Sequence, residues 1–426
     1  PLISVAVMKS NYTNELLQTN TKFALSVVGK NINPEIIKTF GYNSMRDINK
    51  FENIETPFYF YDTDLLRKTL TCAKESADKR KFHIHYAVKA NANPVILDII
   101  KSYGFGADCV SGGEIEAAIN AGFPADKIMF AGVGKTDKEI IFALENGIKC
   151  FNVESIPELI NLNEIAGRLS RIARIAVRIN PNVDAHTHQY ITTGLSENKF
   201  GINLENLDDF VKKALNMSNI DLCGVHFHIG SQIRELTPFE TLCGKINDIL
   251  AHLKELGAII TIVDVGGGLG INYNDPDNEL IPDFETYMNI FEKNIHIEEN
   301  QEIHLEPGRS IVAQCGSLIT KVTYVKEGSV KKFIIVDAGM TDLIRPALYQ
   351  AHHKIENLSS HSAVDDVYDV VGPICESSDC FSEDERLPLT SRGDLIALRS
   401  AGAYGEVMAM RYNCRNLPNA VFSDNI

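Results

Sequence analysis

Lys89 is the residue whose type and position point most directly to covalent chemistry. It ends an alternating segment, residues 82–88, and the turn-forming residues 90–94 follow it. We predict that the segment is a β-strand whose last side chain points into a cavity above a sheet. Burial there would lower the pKa of the lysine and free its amine to condense with an aldehyde, which is Schiff-base chemistry. A solvated lysine or an ordinary ion pair is the alternative.

Three successive glycines form a second candidate site. Gly266, Gly267 and Gly268 follow the apolar segment 259–265. Backbone N–H groups of glycines can approach an anion without obstruction by Cβ atoms, and barrel enzymes commonly bind phosphate after their seventh and eighth strands. A phosphate loop is therefore predicted, with a flexible turn as the alternative. A dinucleotide fingerprint is rejected because the G-x-G-x-x-G spacing is absent.

Glu306 and Arg309 lie at the end of the next predicted strand. A carboxylate at Glu306 could bond the protonated nitrogen of a pyridine ring and preserve its positive charge. The guanidinium fork of Arg309 suits a carboxylate or a phosphate group. An ion pair at a turn is the simpler alternative for both residues.

Two histidines, His226 and His228, alternate along a predicted strand, so their rings share a face. Metal-dependent hydrolases use such pairs, but a Zn²⁺ ion would need further ligands from neighbouring strands. His83 and His85 form a second pair on an earlier strand. We expect no metal, and we interpret His228 as a ring that stacks on a flat cofactor, with Ser231 free to bond a phosphate.

Three later segments also place reactive or directional side chains among small or turn-forming residues. They contain Arg345 and Tyr349, Cys375 and Glu376, and Tyr404. Taken singly, Cys375 predicts a buried thiol and Tyr404 a packing residue. The segments indicate a site only in combination with the motifs above.

The elements that must position these residues follow a regular order from about residue 80. Short apolar or β-branched segments alternate with helix-length amphipathic segments eight times. The predicted strands are 82–89, 106–111, 128–133, 150–154, 174–180, 222–229, 259–265 and 302–306. Eight such units predict an α/β fold of the (β/α)₈ TIM-barrel type, in which catalytic groups lie at the carboxyl ends of the strands.

After residue 308 the pattern changes to strand-like segments without intervening helices. This change predicts a C-terminal all-β domain, a β-barrel or sandwich. We therefore divide the chain into an amino-terminal extension (1–56) that partly joins the β domain, the barrel (57–310) and the β domain (311–426). The segment 57–62 precedes the regular pattern and could add a strand to the barrel.

The composition limits the classes of function. The chain has 426 residues, is 44% hydrophobic and 23% charged, and carries a formal net charge of −15 without a clustered basic stripe. These values favour a small-molecule ligand and argue against nucleic acid as a partner. No segment has the roughly 20 apolar residues of a membrane helix, so no membrane contact is expected. Nine cysteines without a Cys-x-x-Cys pair, and no signal peptide, predict a reducing, cytoplasmic location.

Taken together, these motifs resemble those of the alanine-racemase-like barrel group of pyridoxal-phosphate decarboxylases. The resemblance extends from about residue 57 to residue 416 and is greatest for the branch that acts on meso-diaminopimelate, in which a Cys-Glu-Ser segment is typical. It implies that pyridoxal 5'-phosphate (PLP) is the cofactor and that Lys89 holds it. The further cofactor-binding residues that the resemblance implies are His228, Ser231, Gly266, Gly267, Gly268, Glu306, Arg309 and Tyr404.

The same resemblance implies a substrate site and three catalytic residues. Cys375 would be the proton donor, and Lys89 and His228 would be the other catalytic residues. The implied substrate-binding residues are Arg309, Arg345, Tyr349, Glu376 and Tyr404, of which Glu376 would recognise the distal amine. The family forms homodimers with shared active sites, so Cys375 and Glu376 are expected to act across the interface.

The implied function is the PLP-dependent decarboxylation of meso-2,6-diaminopimelate to L-lysine and CO₂, the last step of lysine biosynthesis. A related ornithine or lysine decarboxylase is the main alternative. Ornithine lacks the second carboxylate and would leave the arginines of the site unpaired. Less favoured alternatives are a non-catalytic regulatory homologue and a metal-dependent hydrolase that uses His226 and His228.

Overall fold

Strands and helices alternate through residues 58–305, and strands dominate the rest of the described chain. The computed structural model describes residue 51 and residues 53–183 and 199–425. In chain order the strands are β1 Phe58–Tyr61, β2 His83–Ala87, β3 Gly106–Cys109, β4 Ile128–Phe130, β5 Cys150–Val153, β6 Ala173–Asn180, β7 Ile202–Asn203, β8 Ile220–His226, β9 Ile262–Asp264, β10 Glu302–Leu305, β11 Gly316–Glu327, β12 Lys332–Val336, β13 Ile355–Asn357, β14 Asp365–Val371, β15 Cys380–Pro388, β16 Leu395–Leu398 and β17 Asn419–Phe422. The α-helices are α1 Thr63–Asp78, α2 Pro94–Ser102, α3 Gly112–Asn120, α4 Asp137–Asn146, α5 Ile156–Arg168, α6 Leu204–Leu215, α7 Thr237–Glu255, α8 Phe284–Asn294, α9 Arg309–Val312 and α10 Arg345–Tyr349.

Eight parallel strands close into a barrel. Their hydrogen-bonded order is β5, β4, β3, β2, β10, β9, β8 and β6, and β6 pairs again with β5. The two-residue strand β7 lies beside β6. Each of the eight segments predicted from the sequence overlaps one barrel strand. The predicted (β/α)₈ barrel is therefore confirmed.

Alternate residues of the barrel strands face opposite sides of the barrel wall. On β10, Ile303 and Leu305 pack into the main hydrophobic core. Glu302 and His304 alternate with them and therefore face the lumen, as does Glu306 just beyond the strand. Strand β10 and the residue after it thus place polar side chains at both ends of the lumen, with Glu302 at one end and Glu306 at the other.

Side-chain caps fix where the helices of the barrel begin. Ser111 and Ser155 each accept a hydrogen bond from a backbone N–H in the first turn of α3 and α5. At α4, Thr136 and Glu139 cap each other reciprocally. Such caps satisfy donors that the first turn leaves unpaired, so the loops after the strands are held in place. Among the helices of the described residues, none is both long and apolar enough to cross a membrane.

The remaining strands form a separate mixed sheet, which agrees with the predicted all-β second domain. Its main order is β13, β16, β11, β12, β14 and β15. The long strand β11 organises the sheet, because its first half pairs with β1 and β16 and its second half pairs with β12. Strand β17 pairs with β1 on the far side.

Strand β1 therefore belongs to the second sheet. Phe58 pairs antiparallel with Ile319 and parallel with Asn419, and Tyr59 and Tyr61 are fully buried. The prediction that residues 57–62 could add a strand to the barrel is wrong, since a four-residue apolar strand carries no sign of its distant partners. The predicted domain boundaries stay predictions, and most of the amino-terminal extension, residues 1–50 and 52, lies outside the described residues.

Candidate active site

A cavity of about 440 Å³ opens at the carboxyl ends of the barrel strands, against the second sheet. The barrel contributes its strand ends and the loops that follow them, and the second domain closes one side. The predicted site residues that line the cavity are Lys89, His228, Ser231, Gly268, Glu306, Arg309, Arg345, Tyr349 and Tyr404. The barrel and the second domain thus bring together residues that are more than 300 positions apart in the chain.

Lys89 lies in a 3₁₀ turn, Val88–Ala90, that follows β2. Its Nζ donates to Oδ2 of Asp108 at 3.1 Å. Asp108 is on β3, where it pairs with Ala87 of the strand that leads to the lysine. The Lys89 side chain keeps 37% of its area open to the cavity, whereas the Asp108 side chain is fully buried. The amine is therefore accessible, but it is held by a carboxylate.

The prediction that burial lowers the pKa of Lys89 is wrong. Burial does act in that direction, but the Asp108 carboxylate and other acidic groups outweigh it and raise the pKa above its usual range. Desolvation alone would lower the pKa, and the opposing charge comes from Asp108 on a neighbouring strand. Without a bound cofactor, the raised pKa favours the ammonium form of Lys89.

Glu306, immediately after β10, is held by two partners from other strands. Its Oε2 lies 3.0 Å from Nε2 of His226, and its Oε1 accepts from Nδ2 of Asn152 at 3.3 Å. Burial raises the pKa of Glu306, but His226 and Lys89 outweigh burial and hold the pKa below its usual value. Nearby Asp264 has its pKa raised well above the usual value by burial and by Glu306. Of these two carboxyl groups, Glu306 is therefore the one that stays charged.

The predicted glycine loop connects the ends of three strands. Gly266 and Gly268 have φ angles of +73° and +115°, which favour glycine. A Cβ on Gly266 would lie 2.1 Å from the carbonyl oxygen of Phe227, and one on Gly267 would lie 2.3 Å from that of Glu306. The loop therefore needs glycine to pass between the residues after β8 and β10. Of the three glycines, Gly268 lines the cavity.

The two histidines of the predicted pair have different surroundings. His226 ends β8 and bonds Glu306, whereas His228 lines the cavity and accepts from the backbone N–H of Gly267 at 3.4 Å. Burial, with Arg178 and Lys89, lowers the pKa of His228 to about 3, so its ring is neutral. Among the described residues, no cluster of three metal-binding side chains includes His228. His226 instead groups with Asp264 and Glu306, so the two rings have different neighbours.

Two arginines share one tyrosine hydroxyl at the wall of the cavity. Arg309 donates to Oη of Tyr273 at 2.6 Å, and Arg345 donates to the same oxygen at 2.9 Å. Arg309 also donates to Oγ of Ser231 at 3.0 Å, and its guanidinium lies 4.9 Å from the ring centroid of Tyr404. Burial would raise the pKa of Tyr273, but the two guanidinium groups outweigh burial and lower it. The wall is a cationic surface suited to carboxylate or phosphate groups.

Residues of the second domain close the site next to the lysine turn. Arg345 and Tyr349 lie on the single-turn helix α10. Tyr404 has a φ of +56°, and its N–H donates to the carbonyl oxygen of Ala90 at 2.8 Å. Because Ala90 follows Lys89 directly, this bond joins the second domain to the turn that carries the amine.

Cys375 and Glu376 do not line this cavity. Both are exposed. The backbone N–H of Cys375 donates to Asn413 at 3.4 Å, and Glu376 accepts from the hydroxyl of Tyr412 at 2.7 Å. The prediction that they act in the site of a second subunit stays a prediction.

Three further residues of the site were missed by the sequence argument. Asp108 holds Lys89, Asn152 bonds Glu306, and Tyr273 joins the two arginines. For Asp108 and Asn152 a signal exists, since each is a single polar residue inside a short, otherwise buried strand. Tyr273 lies in a loop and has no such signal.

Comparisons with known proteins identify the family. The family model described as "Pyridoxal-dependent decarboxylase, pyridoxal binding domain" matches residues 63–313. The diaminopimelate decarboxylase of Bacteroides thetaiotaomicron is 56% identical over 380 residues, which cover 89% of this chain and 98% of that protein.

Solved structures give the same result. Diaminopimelate decarboxylase from Helicobacter pylori, complexed with L-lysine, is 42% identical with a TM-score of 0.84, and the match covers 89% of this chain and 94% of that one. The enzyme of the same name from M. jannaschii, in co-complex with L-lysine, is 39% identical with a TM-score of 0.82, over 88% of this chain and 89% of that one. The chain therefore belongs to the diaminopimelate decarboxylases, within the family of pyridoxal-dependent decarboxylases.

Proposed function

We propose that this chain decarboxylates meso-2,6-diaminopimelate to L-lysine and CO₂, with PLP held by Lys89. One observation carries the proposal: a single cavity brings together the amine of Lys89, the carboxylate of Glu306 and the guanidinium groups of Arg309 and Arg345. An amine and a charged carboxylate suit the two reactive ends of PLP, and paired guanidinium groups suit a substrate with two carboxylates.

The residues present fit PLP. The glycine loop at Gly266, Gly267 and Gly268 reaches the cavity at Gly268, where a backbone without a Cβ atom can approach a phosphate. The neutral ring of His228 offers a flat surface, and the charged Glu306 can hold a protonated ring nitrogen. When bound, PLP supplies an electron-withdrawing ring that takes up the electron pair left by departing CO₂.

Asp108 is placed to control the proton on Lys89. The lysine nitrogen must lose a proton before it can form a bond to carbon. Asp108 lies 3.1 Å from that nitrogen, and its other oxygen has no hydrogen-bond partner in the described part of the chain. Burial and the nearby Glu306 raise the pKa of Asp108, which makes it a better proton acceptor than an ordinary aspartate.

The arginine wall supports the assignment of substrate. Meso-diaminopimelate carries a carboxylate at each end, and the carboxylate that is kept can pair with Arg309 or Arg345. Tyr273 holds the two guanidinium groups through one oxygen, so their spacing is set before substrate binds. Ornithine or lysine has no second carboxylate and would leave a buried guanidinium group without an anionic partner, which disfavours binding.

A substrate panel tests this assignment. With added PLP, we expect CO₂ release from meso-diaminopimelate to exceed release from ornithine and from lysine. Arg345→Met should reduce that preference by about tenfold to a hundredfold, because it removes one charged hydrogen-bonding group. Arg392→Met, at an exposed arginine next to Tyr324, is the matched control and should change nothing. Equal turnover of ornithine by the unaltered protein would contradict the proposed substrate.

We further propose that a second copy of the chain completes the site with Cys375 and Glu376. Both side chains are exposed and outside the cavity of their own chain. In such a dimer Cys375 would return a proton to the carbon that has lost CO₂, and Glu376 would pair with the distal ammonium group of the substrate.

Mixing two inactive variants tests the shared site. Lys89→Met and Cys375→Ala should each lack activity alone. After dissociation and random reassociation, half of the dimers contain one of each, and activity should return to about a quarter of the unaltered value. Cys72→Ala, at an exposed cysteine of α1, is the control and should be active alone. A mixture that stays inactive would place Cys375 in the site of its own chain.

A further inference from the structure

Four polar side chains lie at the amino-terminal mouth of the barrel, opposite the cavity. His83 begins β2, and Glu302 begins β10. His83 and His304 are direct neighbours across these two parallel strands. His85 follows two residues after His83, so all four side chains face the lumen. The proposed reaction uses none of them.

Three of these side chains converge on one point. A nitrogen of His83, a nitrogen of His304 and a carboxylate oxygen of Glu302 lie within 4.8 Å of one another. Oε2 of Glu302 is 3.5 Å from Nε2 of His83 and 3.4 Å from Nε2 of His304. Two ligand atoms of a tetrahedral zinc ion, each about 2.1 Å from the metal, are about 3.4 Å apart. The spacing to Glu302 therefore matches that of metal ligands.

Hydrogen bonds fix which nitrogen of His304 is free. Nδ1 of His85 lies 3.0 Å from the carbonyl oxygen of Lys127, which can only accept, so this nitrogen carries the proton. His85 and His304 are both buried, and burial favours neutral rings. Nε2 of His85 then accepts from Nδ1 of His304 at 2.8 Å. His304 is left with an unprotonated Nε2.

No hydrogen-bond donor faces that unprotonated nitrogen in the described part of the chain. Nε2 of His304 is buried and makes no hydrogen bond in the described part of the chain. Its lone pair lies 3.4 Å from a carboxylate oxygen of Glu302, and two electron-rich atoms at that distance repel unless a cation lies between them. The described part of the chain thus holds a buried nitrogen that could bind a metal ion and that no hydrogen bond satisfies.

We propose that His83, Glu302 and His304 bind one divalent transition-metal ion of the Zn²⁺ type at this mouth. Two imidazoles and one carboxylate are a common set of three protein ligands for Zn²⁺, with a fourth position for water. His83 and Glu302 are about half exposed, so an ion can enter and a water molecule can complete the coordination. His85 would support His304 from behind, as an outer-shell partner usually does for a metal-binding histidine.

This proposed metal site is distinct from the histidine pair His226 and His228, which the sequence analysis considered as metal ligands. The expectation of no metal rested on the lack of convergent ligands around that pair. At the opposite mouth, the convergence arises because β2 and β10 are neighbours, although their sequences are more than 200 residues apart. Such an ion would join the amino-terminal ends of the two strands that carry Lys89 and Glu306 at their other ends.

A binding experiment on the full chain loaded with PLP tests the proposal. After removal of metals with a chelator, calorimetric titration with Zn²⁺ should show one ion per chain that His83→Ala no longer binds. Glu302→Gln, which keeps the shape of the side chain, should weaken binding by about tenfold or more. Co²⁺ should give visible absorption bands of a four-coordinate site with nitrogen and oxygen ligands, and His83→Ala should lack them. Zn²⁺ should raise the melting temperature of the unaltered protein but not that of His83→Ala.

His252→Ala is the matched control. His252 is as exposed as His83 and also faces one carboxylate, that of Asp208 at 2.6 Å, but it belongs to no three-residue cluster in the described chain. This variant should bind Zn²⁺ like the unaltered protein. Equal binding by the unaltered protein and His83→Ala, or an equal loss in His252→Ala, would overturn the proposal. Either result would leave the proposed decarboxylation untouched.

Discussion

Two lysines that follow barrel strands show how similar ion pairs can serve different purposes. Lys89, after β2, pairs with Asp108 at 3.1 Å, and Lys135, after β4, pairs with Glu158 at 2.6 Å. The Lys135 side chain is 1% exposed and that of Lys89 is 37% exposed. Lys135 also donates to the carbonyl oxygens of Gly132 and Asn152, each at 2.8 Å.

The difference lies in the number of acceptors. An ammonium group has three N–H donors, and all three of Lys135 are used by Glu158 and two carbonyl groups. Within the described residues Lys89 has one acceptor, the carboxylate of Asp108, and the rest of its amine faces the cavity. A lysine whose donors are all used stabilises the fold, whereas a lysine with one acceptor can exchange it for another partner.

The largest expected effect is on turnover. Lys89→Met should lower CO₂ release by at least about a thousandfold, because it removes the covalent attachment of PLP. The absorbance of bound cofactor should disappear with it. Lys74→Met, at an exposed lysine paired with Asp78 on α1, is the control and should behave like the unaltered protein. Normal turnover by Lys89→Met would show that Lys89 is not needed for the reaction, and would contradict the proposed difference between Lys89 and Lys135.

Lys135→Met should act on stability instead. The substitution leaves the buried carboxylate of Glu158 without its counter-charge, which commonly costs about 3–5 kcal/mol. Chemical denaturation should show this loss in the free energy of unfolding, while the protein that remains folded still binds PLP. A Lys135→Met protein of unchanged stability would show that the three hydrogen bonds contribute little.

Asp108→Asn should change the pH dependence of cofactor uptake. Burial lowers the pKa of Lys89, but Asp108 and other acidic groups raise it above the usual value. Removing the Asp108 charge should therefore lower the pKa by about 1–3 units. Uptake of PLP by the cofactor-free protein needs the uncharged amine, so its rise with increasing pH should begin at lower pH in the variant. An unshifted profile would show that Asp108 does not hold the proton.

Glu158→Gln is the counterpart of that variant and should have the smallest effect. The glutamine oxygen can still accept from Lys135, and the two carbonyl acceptors remain. We expect a loss of about 1–3 kcal/mol in the free energy of unfolding, from the weaker and uncharged acceptor. The pH profile of cofactor uptake should stay the same. A shift in that profile would mean that the two ion pairs are coupled.

Most of the site could be predicted because a parallel barrel gathers the ends of its strands at one face. The local sequence around Lys89, Glu306 and the glycine loop marks strand ends, and closure of the barrel places them together without knowledge of any loop. The place of Arg345 and Tyr349 in the site was predicted from the family resemblance instead, because no local pattern shows that a second sheet covers the barrel.

The errors have a common physical origin in contacts between distant segments. The raised pKa of Lys89 depends on Asp108 of the next strand, and the position of β1 depends on partners in β11 and β17. Tyr273 was missed for the same reason, because its importance comes from two arginines brought to it from α9 and α10. Charge and register between such segments cannot be read from either segment alone.

The pairing of β1 with β17 has a consequence for how the protein is made. The backbone N–H of Thr63, just after β1, donates to Oγ of Ser423 at 3.0 Å, 360 residues later in the chain. During synthesis the segments of the barrel emerge between these two partners and can fold before the second one exists. One edge of β1 can pair with β11 once residue 319 has been made, but its other edge stays unpaired until translation has passed residue 419. A nascent chain arrested before that point should bind chaperones through β1 although its barrel is already formed.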